Sequence, residues 1–218
     1  MREVRILLAD DHEVVRRGLQ AILKAQTGWS VVAEAANGRE AVDLARQLKP
    51  AVVILDISMP EVNGLEATRQ ILKDLPQTEV LILTMHESEQ VVREVLDAGA
   101  RGYVLKSDAG QDLVAAVESL SRHKPFFTSK VAEMVLEGYR KTGATGGKMT
   151  EPRSRLTPRE REIVQLLAEG KSNKEVAAAL GISMKTAETH RANIMHKLNL
   201  QSLSDLVRYA IRNKIIED

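Results

Sequence analysis

Five side chains suited to phosphoryl chemistry stand directly behind apolar runs in the first half of the chain. Asp10 and Asp11 follow "VRILLA", Asp56 follows "AVVIL", Thr84 follows "EVLIL" and Lys106 follows "GYVL". Carboxylates crowded together repel one another unless a cation intervenes. Hard oxygen ligands point to Mg²⁺, which keeps several waters and favours phosphate partners. A lysine ammonium and a hydroxyl nearby suit the oxygens of a phosphoryl group. One aspartate can then act as the nucleophile and form an aspartyl phosphate. Each residue alone reads equally well as a helix cap or a loop polar group. All five, however, occupy the same kind of position.

The elements that must place them are legible. Apolar runs at 4–9, 31–35, 51–55, 79–83 and 102–105 predict strands. Helical spacing fills 12–26, 38–48, 64–75, 87–98 and 110–121, as where Leu113, Val114, Val117 and Leu120 share one face. Strands alternating with helices of this length predict an α/β fold, a doubly wound five-stranded parallel sheet covered on both faces. The carboxyl ends of parallel strands share one edge, where open α/β sheets hold their ligands. A core strand ending at Asp56 therefore holds that carboxylate rigidly at the edge.

Composition bounds the rest. At 218 residues the chain has room for two domains with cores of their own, and aromatics are only 3% of it, so aliphatic packing must build those cores. The absence of cysteine excludes disulfides and thiolate metal sites and fits a reducing compartment. No apolar run approaches the roughly 18–20 residues of a membrane span, and the acidic turn of "MREVRILLADDHE" does not suit a signal peptide. A cytoplasmic protein with no membrane partner is expected. The net charge of +1 hides an asymmetry: residues 1–121 hold 13 Lys/Arg against 19 Asp/Glu, and residues 122–218 hold 18 against 11. That split predicts two domains with different partners, the basic one suited to nucleic acid.

Between them, residues 122–154 read as a linker. A helix is predicted near 128–140, followed by a tether containing Gly143, Gly146, Gly147 and Pro152. From 155 to 218 the punctuation predicts an all-α domain of four helices. "TPRE" supplies Thr157 as N-cap, Pro158 at the first helical position and Glu160 to close a capping box. Ser172 with Glu175 repeats the device, and Gly170 and Gly181 end the two helices. Ser183 caps a third helix reaching about Leu198, and Ser202 with Asp205 opens a fourth. The "GIS" joint at 181–183 suits a helix-turn-helix. On the third helix Ala187, Ile194 and Leu198 face inward, while Lys185, Glu188, Thr189, Ala192 and His196 cluster opposite, with Asn193 at the border and Arg191 on a flank. That face is polar and free of bulk, compatible with a major groove or with plain solvent.

The first half resembles the response regulator receiver domains over residues 4–121, through "LLADDHEVVRRGL", "VVILDISMPEVNGLE", "LILTMHE" and "GYVLK". The resemblance implies a flavodoxin-like fold with Asp56 as phosphoacceptor. Asp10, Asp11 and Asp56 would hold Mg²⁺, with the main-chain carbonyl of Ser58 as a further ligand. Lys106 would pair with the phosphoryl oxygens, and Thr84 would hydrogen-bond one of them. Tyr103 matches the aromatic that moves inward with Thr84 on activation, and reads equally as a strand aromatic. Ser107 stands where many receivers carry a proline after a cis bond, so the isomer of the Lys106–Ser107 bond is open. Met85 is bulkier than the small residue often found beside the threonine, and Ser58 and His86 flank the site, where side chains tune hydrolysis.

The segment "LTPREREIVQLLAEGKSNKEVAAALGISMKTAETHRANIMHKLNL" resembles the LuxR/NarL type of DNA-binding domain, over 155–215. The two resemblances together point to the NarL/FixJ response regulators. They imply that Lys185, Glu188 and Thr189 read base edges, with Arg191 and the neighbouring Thr186, Ala192 and Asn193 also at the DNA. Glu188 departs from members with lysine there. His190 is read as a packed, structural histidine. The implied partners are a sensor histidine kinase, double-stranded promoter DNA, a second copy of the chain docked through the fourth helix, and RNA polymerase as a candidate contact. Two rivals stand beside this reading. A Mg²⁺-dependent phosphatase would need a general acid two residues after Asp56, where Ser58 stands. A DNA-binding regulator indifferent to phosphorylation would leave the pocket unused.

Overall fold

Alternation along each strand decides which helices its residues meet. The computed structural model describes residues 3–85, 88–129, 131–133, 156–213 and 215–216. The chain divides into two compact units, Met1–Gly146 and Gly147–Asp218. Among the described residues no helix is long and apolar enough to cross a membrane.

In the first unit, strands β1 (Val4–Ala9), β2 (Trp29–Ala35), β3 (Val52–Asp56), β4 (Glu79–Thr84), β5 (Gly102–Leu105) and β6 (Phe126–Phe127) form one sheet, ordered β2-β1-β3-β4-β5-β6 and parallel throughout. Helices α1 (Glu13–Lys24), α2 (Gly38–Leu48), α3 (Gly64–Asp74), α4 (Glu89–Ala98) and α5 (Ala109–Ser121) cover both faces. Leu7, Val53, Leu55, Val80, Ile82 and Tyr103 pack with Val42, Ile71 and Val95 of α2, α3 and α4. Their strand neighbours Ile6, Leu8, Ile54, Leu81 and Val104 turn the other way, onto Leu19 and Leu23 of α1 and Leu113 and Val117 of α5. β3 and β4 are buried at every position, as expected of central strands covered twice.

The expected five strands are thus corrected to six. "FF" is too short to register as a strand by alternation. It becomes one because β5 would otherwise end the sheet with unpaired backbone groups, and Gly102 and Tyr103 pair with Phe126 and Phe127. The Lys106–Ser107 bond is trans, as is every described peptide bond, and residues 106–108 form a single 3-10 turn before α5. Of the helix expected near 128–140, residues 129 and 131–133 are helical. Residue 130 and residues 134–140, like most of the linker, lie outside the described residues.

The second unit holds α6 (Pro158–Ala168), α7 (Asn173–Leu180), α8 (Met184–Lys197) and α9 (Leu203–Arg212). Thr157 and Ser172 each close a full capping box, and Ser183 and Ser202 accept from the backbone of Thr186 and Asp205. Each such cap contributes on the order of 1 kcal/mol, which matters for helices of eight to fourteen residues. Ile163, Leu167, Val176, Leu180, Ala187, Ile194, Leu206 and Ala210 form the common core. Lys197 of α8 reaches Glu160 of α6 at 2.7 Å, clamping the third helix to the first.

Candidate functional site

The strand order reverses between β1 and β3, and at such a switch point an open α/β sheet leaves a crevice beyond its carboxyl edge. Asp10 lies there one residue past β1, and Asp56 is the last residue of β3. Both are almost fully buried, at 1% and 3% exposure. Lys106, one residue past β5, extends its ammonium between them, 2.7 Å from Asp10 Oδ2 and 2.8 Å from Asp56 Oδ2. Asp11 is more open, with its side chain 33% exposed.

The loop after β3 fixes Asp56 from behind. Gly64 N–H donates to the Ile57 carbonyl at 2.8 Å, folding the start of α3 tightly back on the strand. A Cβ at Gly64 would lie 2.0 Å from the Asp56 carbonyl oxygen, so only glycine fits. Asn63 caps α3 by accepting from Glu66 N–H at 2.9 Å. The Asp56 carboxylate is therefore held by β3 on one side and by a close-packed loop on the other.

Burial raises the pKa of Asp56 above its ordinary 3.8, opposed by the hydrogen bond and charge of Lys106 and reinforced by Asp10 and Asp11. Burial pulls the Lys106 ammonium down, but Asp10 and Asp56 outweigh it and its pKa is raised. Lys106 thus remains a cation that favours the ionised form of Asp56.

One ligand atom from each of Asp10, Asp11, His12 and Asp56 lies within 4.8 Å of the others. Asp10 Oδ2 is buried and, apart from the Lys106 ion contact, meets no hydrogen-bond partner among the described residues. At full ionisation three carboxylates against one ammonium leave a charge of −2 at the mouth. This oxygen-rich, under-neutralised pocket fits a hard divalent cation. His12 was not singled out by sequence reasoning. Its Nδ1 lies 2.8 Å from Asp11 Oδ1 and its ring is mostly exposed. Its adjacency to the acid pair in "DDH" was the available signal.

The remaining expected residues differ in exposure. Thr84 ends β4 beside β3 and is 1% exposed. Ser58 is half-buried in the loop two residues past Asp56. Tyr103 is not at the rim. It is wholly buried in the core layer beneath α2, α3 and α4. Met85 lies 70% exposed next to Thr84.

In the second unit α8 presents Lys185, Thr186, Glu188, Thr189, Ala192 and Asn193 to solvent. Thr189 Oγ1 donates to the Lys185 carbonyl at 2.9 Å, and Thr186 Oγ1 shares a hydrogen bond with Ser183. Arg191 is half-buried, with Nη1 3.4 Å from Asn173 Oδ1 at the start of α7. A shallow groove beside it, about 310 Å³, is bordered by Glu188, Ala192, Met195 and Ser202. His190 is half-buried, consistent with a packing role.

Comparison with known proteins accords with both units. The family described as response regulator receiver domain matches residues 6–118. Bacterial regulatory proteins of the luxR family match residues 154–210. The chain is 41% identical over 216 residues to the oxygen regulatory protein NreC of Staphylococcus carnosus, covering 98% of this chain and 100% of NreC. It is 40% identical to the transcriptional regulatory protein LiaR of Bacillus subtilis, covering 98% of this chain and 99% of LiaR. RcsB of Salmonella enterica serovar Typhimurium, solved on promoter rprA with the phosphomimetic BeF3−, matches with a TM-score of 0.59 and 28% identity over 95% of this chain and 98% of that one. A receiver-type pocket, a capped helix-turn-helix unit and relatives along nearly the whole length place the chain in the NarL/FixJ family of response regulators, which join a receiver to a luxR-type DNA-binding domain and regulate transcription.

Proposed function

We propose that Asp56 is the phosphoacceptor of a two-component switch. The carrying observation is one buried carboxylate at the end of a core strand, 2.8 Å from a buried-stem lysine and inside a cluster of three acids. A sensor histidine kinase supplies the phosphoryl group. An Asp56 carboxylate oxygen attacks phosphorus, the bond from phosphorus to the histidine nitrogen breaks, and an acyl phosphate forms as the imidazole leaves. Asp10, Asp11, Asp56 and the Ser58 carbonyl would hold Mg²⁺, which when bound neutralises charge on the phosphoryl oxygens. Lys106 moves its hydrogen bond from Asp56 to a phosphoryl oxygen, and Thr84 donates to another. Transfer to and from Asp56 is then the only chemistry the protein performs, assisted by its own pocket.

The phosphoryl group favours one of two arrangements of the Thr84–Tyr103 region. That shift promotes dimerisation and binding to promoter DNA in the cytoplasm. Lys185, Glu188 and Thr189 meet base edges, and Thr186, Arg191, Ala192 and Asn193 line the contact. A recognition helix with so little positive charge binds weakly alone, so two copies on two half-sites supply the affinity. RNA polymerase is the further partner of the DNA-bound form. The solved RcsB complex, which carries both promoter DNA and BeF3−, supports this reading.

The test is intact mass after incubation with acetyl phosphate and Mg²⁺, followed by promoter binding with and without BeF3−. One added phosphoryl group on wild type and none on Asp56→Asn is expected, with tighter DNA binding in the BeF3− form. Equal DNA binding in both states would instead favour a regulator indifferent to phosphorylation.

A further inference from the structure

Asp10 is held through its N–H, its Oδ1 and its carbonyl, and one of these restraints comes from a residue outside the pocket. Its N–H donates to the Ala35 carbonyl at the end of β2, at 3.2 Å. Its Oδ1 accepts from His12 N–H at 2.9 Å. Its own carbonyl accepts from Arg16 Nη1 at 2.6 Å. The Arg16 side chain is 15% exposed, and its Nε lies 3.7 Å from Glu34 Oε2 on β2. Glu34 is in turn hydrogen-bonded by Gln20, one turn along α1. The next residue, Arg17, is unlike it: 77% exposed and paired along its own helix, with Glu13 at 2.5 Å.

The carbonyl that Arg16 holds belongs to the peptide joining Asp10 to Asp11. That unit is planar, so fixing the carbonyl also fixes the Asp11 N–H and the direction in which the chain enters Asp11. Asp11 is the most exposed of the three acids. Its carboxylate has the most freedom to lose.

We infer that Arg16 is a positioning residue for the cation pocket, setting the plane of the Asp10–Asp11 peptide so that the Asp11 carboxylate converges with those of Asp10 and Asp56. The inference rests on the reading that this pocket holds a divalent cation. Charge alone would have the opposite effect, because a guanidinium beside a cation site repels the cation. Removing Arg16 would then tighten binding. Removing a positioning group weakens it, by about tenfold for partners that orient metal ligands.

The sign of the change therefore decides. Mn²⁺ affinity is measured by electron paramagnetic resonance on the full chain for wild type, Arg16→Ala, Arg16→Lys, Arg17→Ala and Asp11→Asn, with melting temperature alongside. About tenfold weaker binding in Arg16→Ala, partial recovery in Arg16→Lys, and unchanged or tighter binding in Arg17→Ala are expected. If Arg16→Ala does not fold, Arg16→Lys must still bind more weakly than wild type at an unaltered melting temperature. Unchanged or tighter binding in the folded Arg16 variants overturns the inference while leaving the cation site intact. Wild-type binding that Asp11→Asn does not alter means that the pocket reading itself has failed.

Discussion

Tyr103 on β5 stands in parallel register with Phe127 on β6, so the buried aromatic three residues before Lys106 is tied to the first segment beyond α5. Phe127 packs on the same core layer as Tyr103 and Val131. Arg101 strengthens the attachment: its carbonyl accepts from Phe126 N–H at 2.9 Å, and its guanidinium donates to the His123 carbonyl and to the buried Glu79.

Phe127→Ala should loosen this edge without disturbing the pocket. A half-buried phenylalanine removed here costs about 2 kcal/mol, against about 3–5 for a fully buried one. Urea unfolding of the chain should show that loss. Hydrogen exchange should show faster exchange at Phe126 while Asp56 remains open to phosphorylation by acetyl phosphate.

The pocket gives a pH dependence of definite sign. Burial holds Asp56 above its ordinary 3.8, so the folded protein binds that proton more tightly than the unfolded chain does. The associated stability is complete below the unfolded value and is lost as pH rises through the folded one. Without divalent cations, Asp56→Asn should be more stable than wild type at pH 7, and the gap should close as the pH falls toward 4. Chemical denaturation across that range in EDTA measures it; a gap that widens in acid is the contrary result.

Two glycines should respond in opposite directions. At Gly64 a methyl group meets the Asp56 carbonyl oxygen at 2.0 Å, so Gly64→Ala should destabilise by more than about 3 kcal/mol and impair acetyl phosphate labelling. Gly18 lies within α1 with open space around its Cβ position, and Gly18→Ala should stabilise by about 0.5–1 kcal/mol. Thermal melts of the two variants give the comparison.

At the DNA, Glu188 and Arg191 should fail differently. Arg191→Ala should weaken binding to all sequences alike and reduce the salt slope by about one, the mark of a lost phosphate contact. Glu188→Ala should alter preference at a single base pair by about 1–3 kcal/mol. Fluorescence anisotropy with a set of operator variants at two salt concentrations separates the two behaviours. A uniform response to Glu188→Ala would remove it from the base readers.

Much of this was written in the sequence, because local physics decided it. Asp10, Asp56, Thr84 and Lys106 were recognisable from their place behind apolar runs, since parallel strands must end on one edge. Thr157, Ser172, Ser183 and Ser202 announced four helices because a side-chain cap needs only its own next three residues. What tertiary structure decided depended on partners far along the chain. Phe126 and Phe127 are a strand only because β5 offers an open edge. Tyr103 is fully buried because the α4 layer closes over it. Arg16 bears on the pocket because α1 returns beside β2, bringing a guanidinium onto the Asp10 carbonyl. Periodicity records which face a residue turns inward, but which distant backbone group it meets there is set only when the sheet is assembled.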